Sequence, residues 1–153
     1  MGNKINDRIV GTRQADIIST GNGNDTAYGV DGADQIDGGN GKDYLTGNRG
    51  GDIVSGGNGK DIVFGGLGSD ILTGGNGKDT FIFHNTVGRR SGNDIITDFH
   101  NDQIDLQNHN TDFDTLAASF TDLDGNAVID TGHGTITLLG VSSADLSASD
   151  FIF

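Results

Sequence analysis

Residues 56–82 read GGNGKDIVF, GGLGSDILT, GGNGKDTFI, three nine-residue words in a row. Each has glycine at positions one, two and four, aspartate at position six and an apolar residue at position eight. Outward from this stretch, Asp recurs at 7, 16, 25, 34, 43, 52, 61, 70 and 79, always nine residues apart. Two places after each stand Ile9, Ile18, Ala27, Ile36, Leu45, Val54, Val63, Leu72 and Phe81, all apolar. Gly38–Thr46 (GGNGKDYLT) is a fourth full copy; Thr20–Tyr28, Gly29–Asp37 and Gly47–Ser55 are weaker, and Gly2–Val10 and Gly11–Ser19 keep the Asp and the apolar residue but lose the glycine pattern. A disordered Gly/Asp tract has no use for an apolar residue at every ninth place, whereas a stacked coil needs one to build a core.

Composition agrees. The 153 residues include 27 Gly and no Pro, Cys or Trp, and all 22 acidic residues are Asp. A chain rich in Gly and Asp and without Glu is poorly suited to a helix bundle. The formal charge of −13 argues against nucleic acid and against an anionic membrane as partner. No apolar run approaches the ~20 residues of a bilayer span. With no Cys there is no disulfide, cysteine zinc site or thiol nucleophile. The opening MGNKINDRIV lacks the apolar stretch of a secretory leader. Charge divides the chain: residues 1–90 hold all nine Lys and Arg with 11 Asp, and residues 91–153 hold 11 Asp and no basic residue.

The pattern G-G-x-G-x-D-x-U-x resembles the calcium-binding repeat of the repeats-in-toxin (RTX) family. The resemblance covers about 80 residues and implies an all-β, right-handed parallel β-roll, 18 residues per coil, over residues 1–83, with residues 84–153 as a C-terminal cap. It implies six residues of turn and three of strand per repeat. Physical chemistry supports it. Calcium takes six to eight oxygen ligands at about 2.3–2.6 Å. Glycine turns can aim backbone carbonyls at one point, and the short Asp arm keeps a carboxylate close to the backbone. The expected ligands are the carboxylates of Asp25, Asp34, Asp43, Asp52, Asp61, Asp70 and Asp79, with backbone oxygens of the turns that contain Gly39, Gly41, Gly57, Gly59, Gly66, Gly68, Gly75 and Gly77.

One coil places i over i+18, roughly 4.8 Å apart. Asp7, Asp25, Asp43, Asp61 and Asp79 then line one edge, and Asp16, Asp34, Asp52 and Asp70 the other. Neighbours at that spacing repel by about 1 kcal/mol even in water. Five gaps have good repeats on both sides: 25/43, 43/61, 61/79, 34/52 and 52/70. About five Ca²⁺ are therefore expected, within a range of four to eight, and five would bring the formal charge near −3.

In the second half, Thr80–Phe83, Asn93–Phe99, Gln103–Leu106, Ala127–Asp130 and Thr135–Leu139 read as strands. Gly132-His133-Gly134 reads as a hairpin turn, Leu116–Phe120 as a short helix and Ser143–Leu146 as a helical turn. Asn93–Phe99 followed by Asp102–Leu106 resembles the segment that closes the roll in secreted RTX enzymes, such as serralysin-type proteases and the R-modules of mannuronan C5-epimerases. That resemblance implies one further calcium at Asp98, Asp102 or Asp105; the competing reading is surface Asp bounding a strand. Asp122–Asn126 reads as a turn, since an EF-hand would need Gly where Ala127 stands and Glu where His133 stands. The closing Asp150-Phe151-Ile152-Phe153 resembles the tail of type I secretion substrates, and also reads as a final strand.

No catalytic motif is present: there is no HExxH and no GxSxG. His84, His100, His109 and His133 read as scattered surface residues. The expected protein is a noncatalytic calcium-binding module of a secreted, extracellular bacterial protein, monomeric, serving an upstream domain of its parent and the type I secretion apparatus. Two alternatives stand beside it. One is an R-module that binds alginate or another anionic polysaccharide through the column Lys42, Lys60 and Lys78; charge compensation of the Asp ladder is the competing account of those lysines. The other is the end of an RTX adhesin. The outward strand positions Tyr28, Tyr44, Ile62, Phe64 and Ile82 are expected to be covered by residues 84–153, or else to stack on sugars.

Overall fold

The structure is a computed structural model that describes residues 5–84, 92–107 and 109–153. The start of the first repeat, Gly2–Lys4, lies outside the described residues, as do residues 85–91 of the expected cap.

Each repeat folds as turn then strand. The strands are β1 (Arg8–Val10), β2 (Ile17–Ser19), β3 (Thr26–Asp31), β4 (Gln35–Gly41), β5 (Tyr44–Arg49), β6 (Ile53–Gly59), β7 (Ile62–Leu67), β8 (Ile71–Gly77) and β9 (Thr80–Ile82). Odd strands pair with odd and even with even, all in parallel, at a register of 18: Leu45 lies beside Val63 and Val54 beside Leu72. The chain therefore winds as a parallel β-roll with one sheet on each side. The eighth-position side chains of both sheets point inward. Ile18, Ala27, Ile36, Leu45, Val54, Val63, Leu72 and Phe81 form one buried core. Position seven faces out, and Ile17 is 85% exposed.

The second half continues the same two sheets. Its elements are β10 (Gly92–Ile96), β11 (Gln103–Asp105), α1 (Phe113–Ala117), β12 (Phe120–Leu123), β13 (Asn126–Asp130), β14 (Gly134–Leu138) and β15 (Phe151–Ile152). β10 pairs in parallel with β8 and carries β14, while β11 pairs with β9 and carries β15. β14, β13 and β12 then form an antiparallel meander, with Gly132-His133-Gly134 in the expected hairpin. Phe113, Phe120 and Phe151 meet at one end with ring centroids 5.7–6.1 Å apart.

The strands β3 to β8 run six or seven residues where three per repeat are expected, because the stacked turns also pair in register, as Gly39 with Gly57. Two boundaries also differ from expectation. The helix lies at Phe113–Ala117, because the Asp112 carboxylate caps it by accepting from the Thr115 amide at 2.8 Å. Phe120 consequently opens β12 instead of ending the helix, and pairs across to Ile129. The final strand is present as β15.

Replacing an inward core residue should cost far more than replacing an outward strand residue. In saturating calcium, Leu72→Ala should lower unfolding free energy by about 2–5 kcal/mol. Ile17→Ala should change it by less than about 0.5 kcal/mol. Urea unfolding followed by far-ultraviolet circular dichroism measures both.

Candidate metal centre

The turns take their shape from glycine at positions two and four. In the turn before Asp61, Gly57 and Gly59 have φ of 101° and 152°, and a Cβ on Gly59 would lie 1.5 Å from the Gly41 carbonyl oxygen one coil below. Backbone here passes directly over backbone, so carbonyl groups stack in columns along each edge. At position two, Val30 (φ 95°) and Asn48 (φ 72°) replace glycine and accept the strain.

The aspartates are buried beneath these turns. Asp25, Asp34, Asp43, Asp52, Asp61, Asp70 and Asp79 are all at most 3% exposed. Their carboxylates are divided in use. Oδ1 of each accepts the backbone N–H of the aspartate one coil earlier, at 2.7–2.8 Å. Oδ2 of each is buried with no hydrogen-bond partner. Seven unpaired, buried carboxylate oxygens in one small chain are costly unless something positive meets them. Around each orphan oxygen there is also room. A Cβ on Gly38 would lie 2.6 Å from Asp43 Oδ2 and 2.6 Å from the Gly56 carbonyl oxygen; on Gly56, it would lie 2.6 Å from Asp61 Oδ2 and from the Gly74 carbonyl. Glycine at position one therefore keeps open a space flanked by a carboxylate and a carbonyl of the next coil. Hard oxygen donors of this kind, lining a space without side chains, fit a calcium ion.

Both ladders run past the last repeat. Asp94 Oδ1 accepts the Asp70 amide at 2.9 Å, and Asp102 Oδ1 accepts the Asp79 amide at 2.8 Å. Asp94 is a ladder residue that the nine-residue count misses, because it lies 24 residues beyond Asp70. The signal was there: Asp94-Ile95-Ile96 repeats the D-x-U word, and Ile96 pairs beside Leu72. Beyond Asp94 the next coil presents Ile136, so the ladder ends there. Asp98 has both oxygens engaged, accepting the Gly74 and Gly75 amides at 2.9 and 2.7 Å. Asp102 also accepts the His100 amide, and Asp105 accepts the Gln107 amide. Asp16 differs from the later aspartates, since its Oδ2 accepts the amide and hydroxyl of Thr12. Among the described residues, no three His or Asp side chains converge on one metal position. A cation in a gap would draw on its two ladder carboxylates at most, with backbone oxygens supplying the rest.

Burial governs the titration of these groups. Desolvation, with repulsion from the neighbouring ladder aspartates, pushes Asp61 and Asp70 up to about 6 and Asp94 up to about 7 against the opposing amide hydrogen bonds. Asp43, Asp52, Asp79 and Asp102 are raised for the same leading reason.

Lys42, Lys60 and Lys78 are exposed in one column on the outside of the odd-edge turns. Beside them Asn22, Asn40, Asn58 and Asn76 form an amide ladder, each bond 2.8–2.9 Å. Among the described residues the ion pairs are Arg49–Asp31 and His84–Asp105, so none joins these lysines to an aspartate. The histidines are less scattered than expected. His109 and His133 lie edge to face at 5.8 Å, and the His109 ring bonds the Phe83 carbonyl. On the outer face of the odd sheet a groove of about 490 Å³ lies over Tyr28, Arg49 and Phe64; among the described residues, His84 is the one residue after 83 that lines it.

Four overlapping copies of the RTX calcium-binding nonapeptide repeat match residues 1–36, 19–54, 28–63 and 55–83. Together these span more than half of the chain, and the chain belongs to this family of calcium-binding modules. The solution structure of the AlgE6R3 subunit of the Azotobacter vinelandii mannuronan C5-epimerase is similar, with a TM-score of 0.61 and 25% identity over 93% of this chain and 80% of that one. The AlgE6R2 subunit of the same enzyme gives 0.54 and 26%, over 95% and 91%. The extracellular lipase LipA of Serratia marcescens gives 0.51 at 16% identity over 99% of this chain and shares the fold; this chain spans 40% of its length. No curated protein matches the chain.

The raised carboxylates set a sign for the metal-free fold. A folded pKa above the ordinary aspartate value of 3.8 means the folded state binds more protons, so stability is present at low pH and is lost as pH rises through about 6–7. In excess chelator, the residual β signal in circular dichroism should therefore be larger at pH 5 than at pH 8. A signal that grows with pH would contradict it.

Proposed function

We propose that this module folds as it binds calcium, outside the cell, and thereby stabilises the protein that carries it. The observation that carries this reading is the set of seven buried, unpaired Oδ2 atoms on two aspartate ladders. They face the gaps 25/43, 34/52, 43/61, 52/70 and 61/79, and two more, 70/94 and 79/102, at the junction with the second half. Asp25, Asp34, Asp43, Asp52, Asp61, Asp70, Asp79, Asp94 and Asp102 would hold the ions together with turn carbonyls. Calcium bound there supplies the positive charge that the ladders lack. Without it, like charges buried at one-strand spacing disfavour the coil. Metal binding then contributes directly to folding free energy.

Extracellular calcium modules bind at about 10⁻⁴–10⁻³ M. At cytosolic calcium such a chain stays unfolded, a form suited to type I export; outside, it folds. Membership of the RTX family and the likeness to an extracellular lipase support a secreted bacterial setting. Residues 84–153 serve as the cap: β10 and β11 extend the two sheets, and the meander and the phenylalanine cluster close the end.

A second reading is favoured by one observation. The R-module likeness covers most of both chains, and the Lys42, Lys60 and Lys78 column has no aspartate partner among the described residues. A lysine at each coil of one edge matches an extended polyanion, so the module would also hold an anionic polysaccharide such as alginate.

Removal of calcium with chelator should abolish the β signal in circular dichroism, and added calcium should restore it; a spectrum indifferent to chelator would sink the folding reading. Asp61→Asn touches two gaps and should raise the calcium needed for half-folding several-fold. Asp7→Asn should shift it less than twofold. For the second reading, alginate oligomers added to the calcium-loaded module should perturb the amides of Lys42, Lys60 and Lys78 in NMR spectra. Unperturbed amides at saturating oligomer would remove that reading and leave the first intact.

A further inference from the structure

The first position of the turns is glycine in every repeat except one, where Thr20 stands. Glycine is needed there for space and not for its dihedral freedom. At Gly11, Gly29, Gly38, Gly47, Gly56, Gly65 and Gly74 a Cβ would lie 2.1–2.7 Å from Oδ2 of the aspartate five residues on. None of these glycines has the left-handed φ seen at positions two and four. At Gly11, Gly29, Gly38 and Gly56 the same point is 2.5–2.7 Å from the carbonyl oxygen of the next coil. The space beside a position-one glycine is thus where the orphan carboxylate oxygen and the stacked carbonyl both face.

Thr20 puts a side chain into the equivalent space of the gap between Asp25 and Asp43. It is buried, and its Oγ1 donates a hydrogen bond to the Gly38 carbonyl at 2.6 Å. The carbonyl that would face a cation is therefore already satisfied, and the threonine Cβ and methyl group occupy the room. The first even-edge turn shows a related arrangement. Thr12 donates its amide and its hydroxyl to Asp16 Oδ2 at 2.6 and 3.0 Å, and its Oγ1 accepts the Gln14 amide at 3.1 Å. Asp16 Oδ2 is accordingly absent from the buried, unpaired oxygens, which begin at Asp25 and Asp34.

We propose that Thr12 and Thr20 keep calcium out of the gaps 16/34 and 25/43, Thr12 by occupying Asp16 Oδ2 and Thr20 by occupying the Gly38 carbonyl and the room beside it, with Asp25 Oδ2 left unpaired. The N-terminal end of the roll is then closed by hydrogen bonds, and metal loading is confined to the gaps from 34/52 and 43/61 onward. This rests on the calcium reading above and narrows it from seven gaps to six. It also makes a turn hydroxyl the determinant of occupancy: Thr20 at position one fills the space ahead of it, and Thr12 at position two takes the Asp16 carboxylate oxygen although glycine stands at position one. A calcium ion needs six to eight oxygens at about 2.3–2.6 Å, so losing one carbonyl and the space beside it is enough to close a site.

The count of bound ions tests this on the intact chain. Native mass spectrometry at saturating calcium should give six ions for the wild type. Thr20→Gly restores the consensus glycine and should take one ion more. Gly38→Thr transplants the plug to the gap 43/61 and should take one ion fewer. Asp16→Asn should leave the count unchanged. A Thr20→Gly protein with the wild-type count would overturn the assignment of Thr20, as would loss of an ion in Thr20→Val, which would make the hydroxyl a ligand. Loss of an ion in Asp16→Asn would overturn the assignment of Thr12. A wild type that binds no calcium would remove the calcium reading and this inference together, so the two failures are distinguishable.

Discussion

One contact repeats from end to end of this molecule: the amide of each ladder aspartate donates to Oδ1 of the aspartate one coil later. It locks the stacking register, because a slip by one residue would break every bond at once. It also orients the carboxylate so that Oδ2 is left buried and alone. A polar backbone group is satisfied at the cost of exposing a charge to a dry interior. Register and metal demand thus come from the same side chain, and neither can be altered without the other.

The rest of the fold follows from accommodating that column. Turn backbone must pass over turn backbone, so positions two and four favour glycine for their positive φ, and position one favours it for space, with Val30, Asn48 and Thr20 among the exceptions. The strands β3 to β8 run six or seven residues, but they continue into the glycine-rich turn, so one inward apolar side chain per repeat has to carry the core. Leu45, Val54, Val63 and Leu72 are completely buried as a result. Such a thin core is a modest source of stability, and buried like charges oppose it. A cation between coils converts the ladder from a liability into a set of cross-links.

The second half resolves the open end. Its strands join the two existing sheets and do not form a separate layer, so the ladders continue to Asp94 and Asp102 before Ile136 replaces the carboxylate on one edge. The Asp98 carboxylate engages the amides of Gly74 and Gly75, which a further repeat would otherwise have covered. Aromatic packing among Phe113, Phe120 and Phe151 then supplies the broader apolar contact that the roll itself lacks.

By itself the sequence determined the β-roll, its period, the inward residues and the seven aspartates of the good repeats. All of these follow from local pattern: a nine-residue word states its own turn, strand and face. It also placed most strands of the second half, where apolar alternation is dense. Only the tertiary structure decided what depends on contacts across irregular spacing. Asp94 lay hidden because residues between the last repeat and β10 break the count, although the ladder resumes in space. Asp98 read as a candidate ligand, yet its oxygens meet two amides 23 and 24 residues away. The helix start moved to Phe113 because a cap, not apolar spacing, sets it. Thr12 and Thr20 looked like ordinary decay of the repeat; the stacked coils show hydroxyls placed where the other turns keep empty space. For Asp94, Asp98 and Thr20 the physical reason is shared: a ladder is built between coils, and which oxygen is left unpaired depends on partners about 18 to 24 residues away, which no single repeat contains. The Asp112 cap and the Thr12–Asp16 pair are local, three and four residues apart, and show only once the backbone is in place.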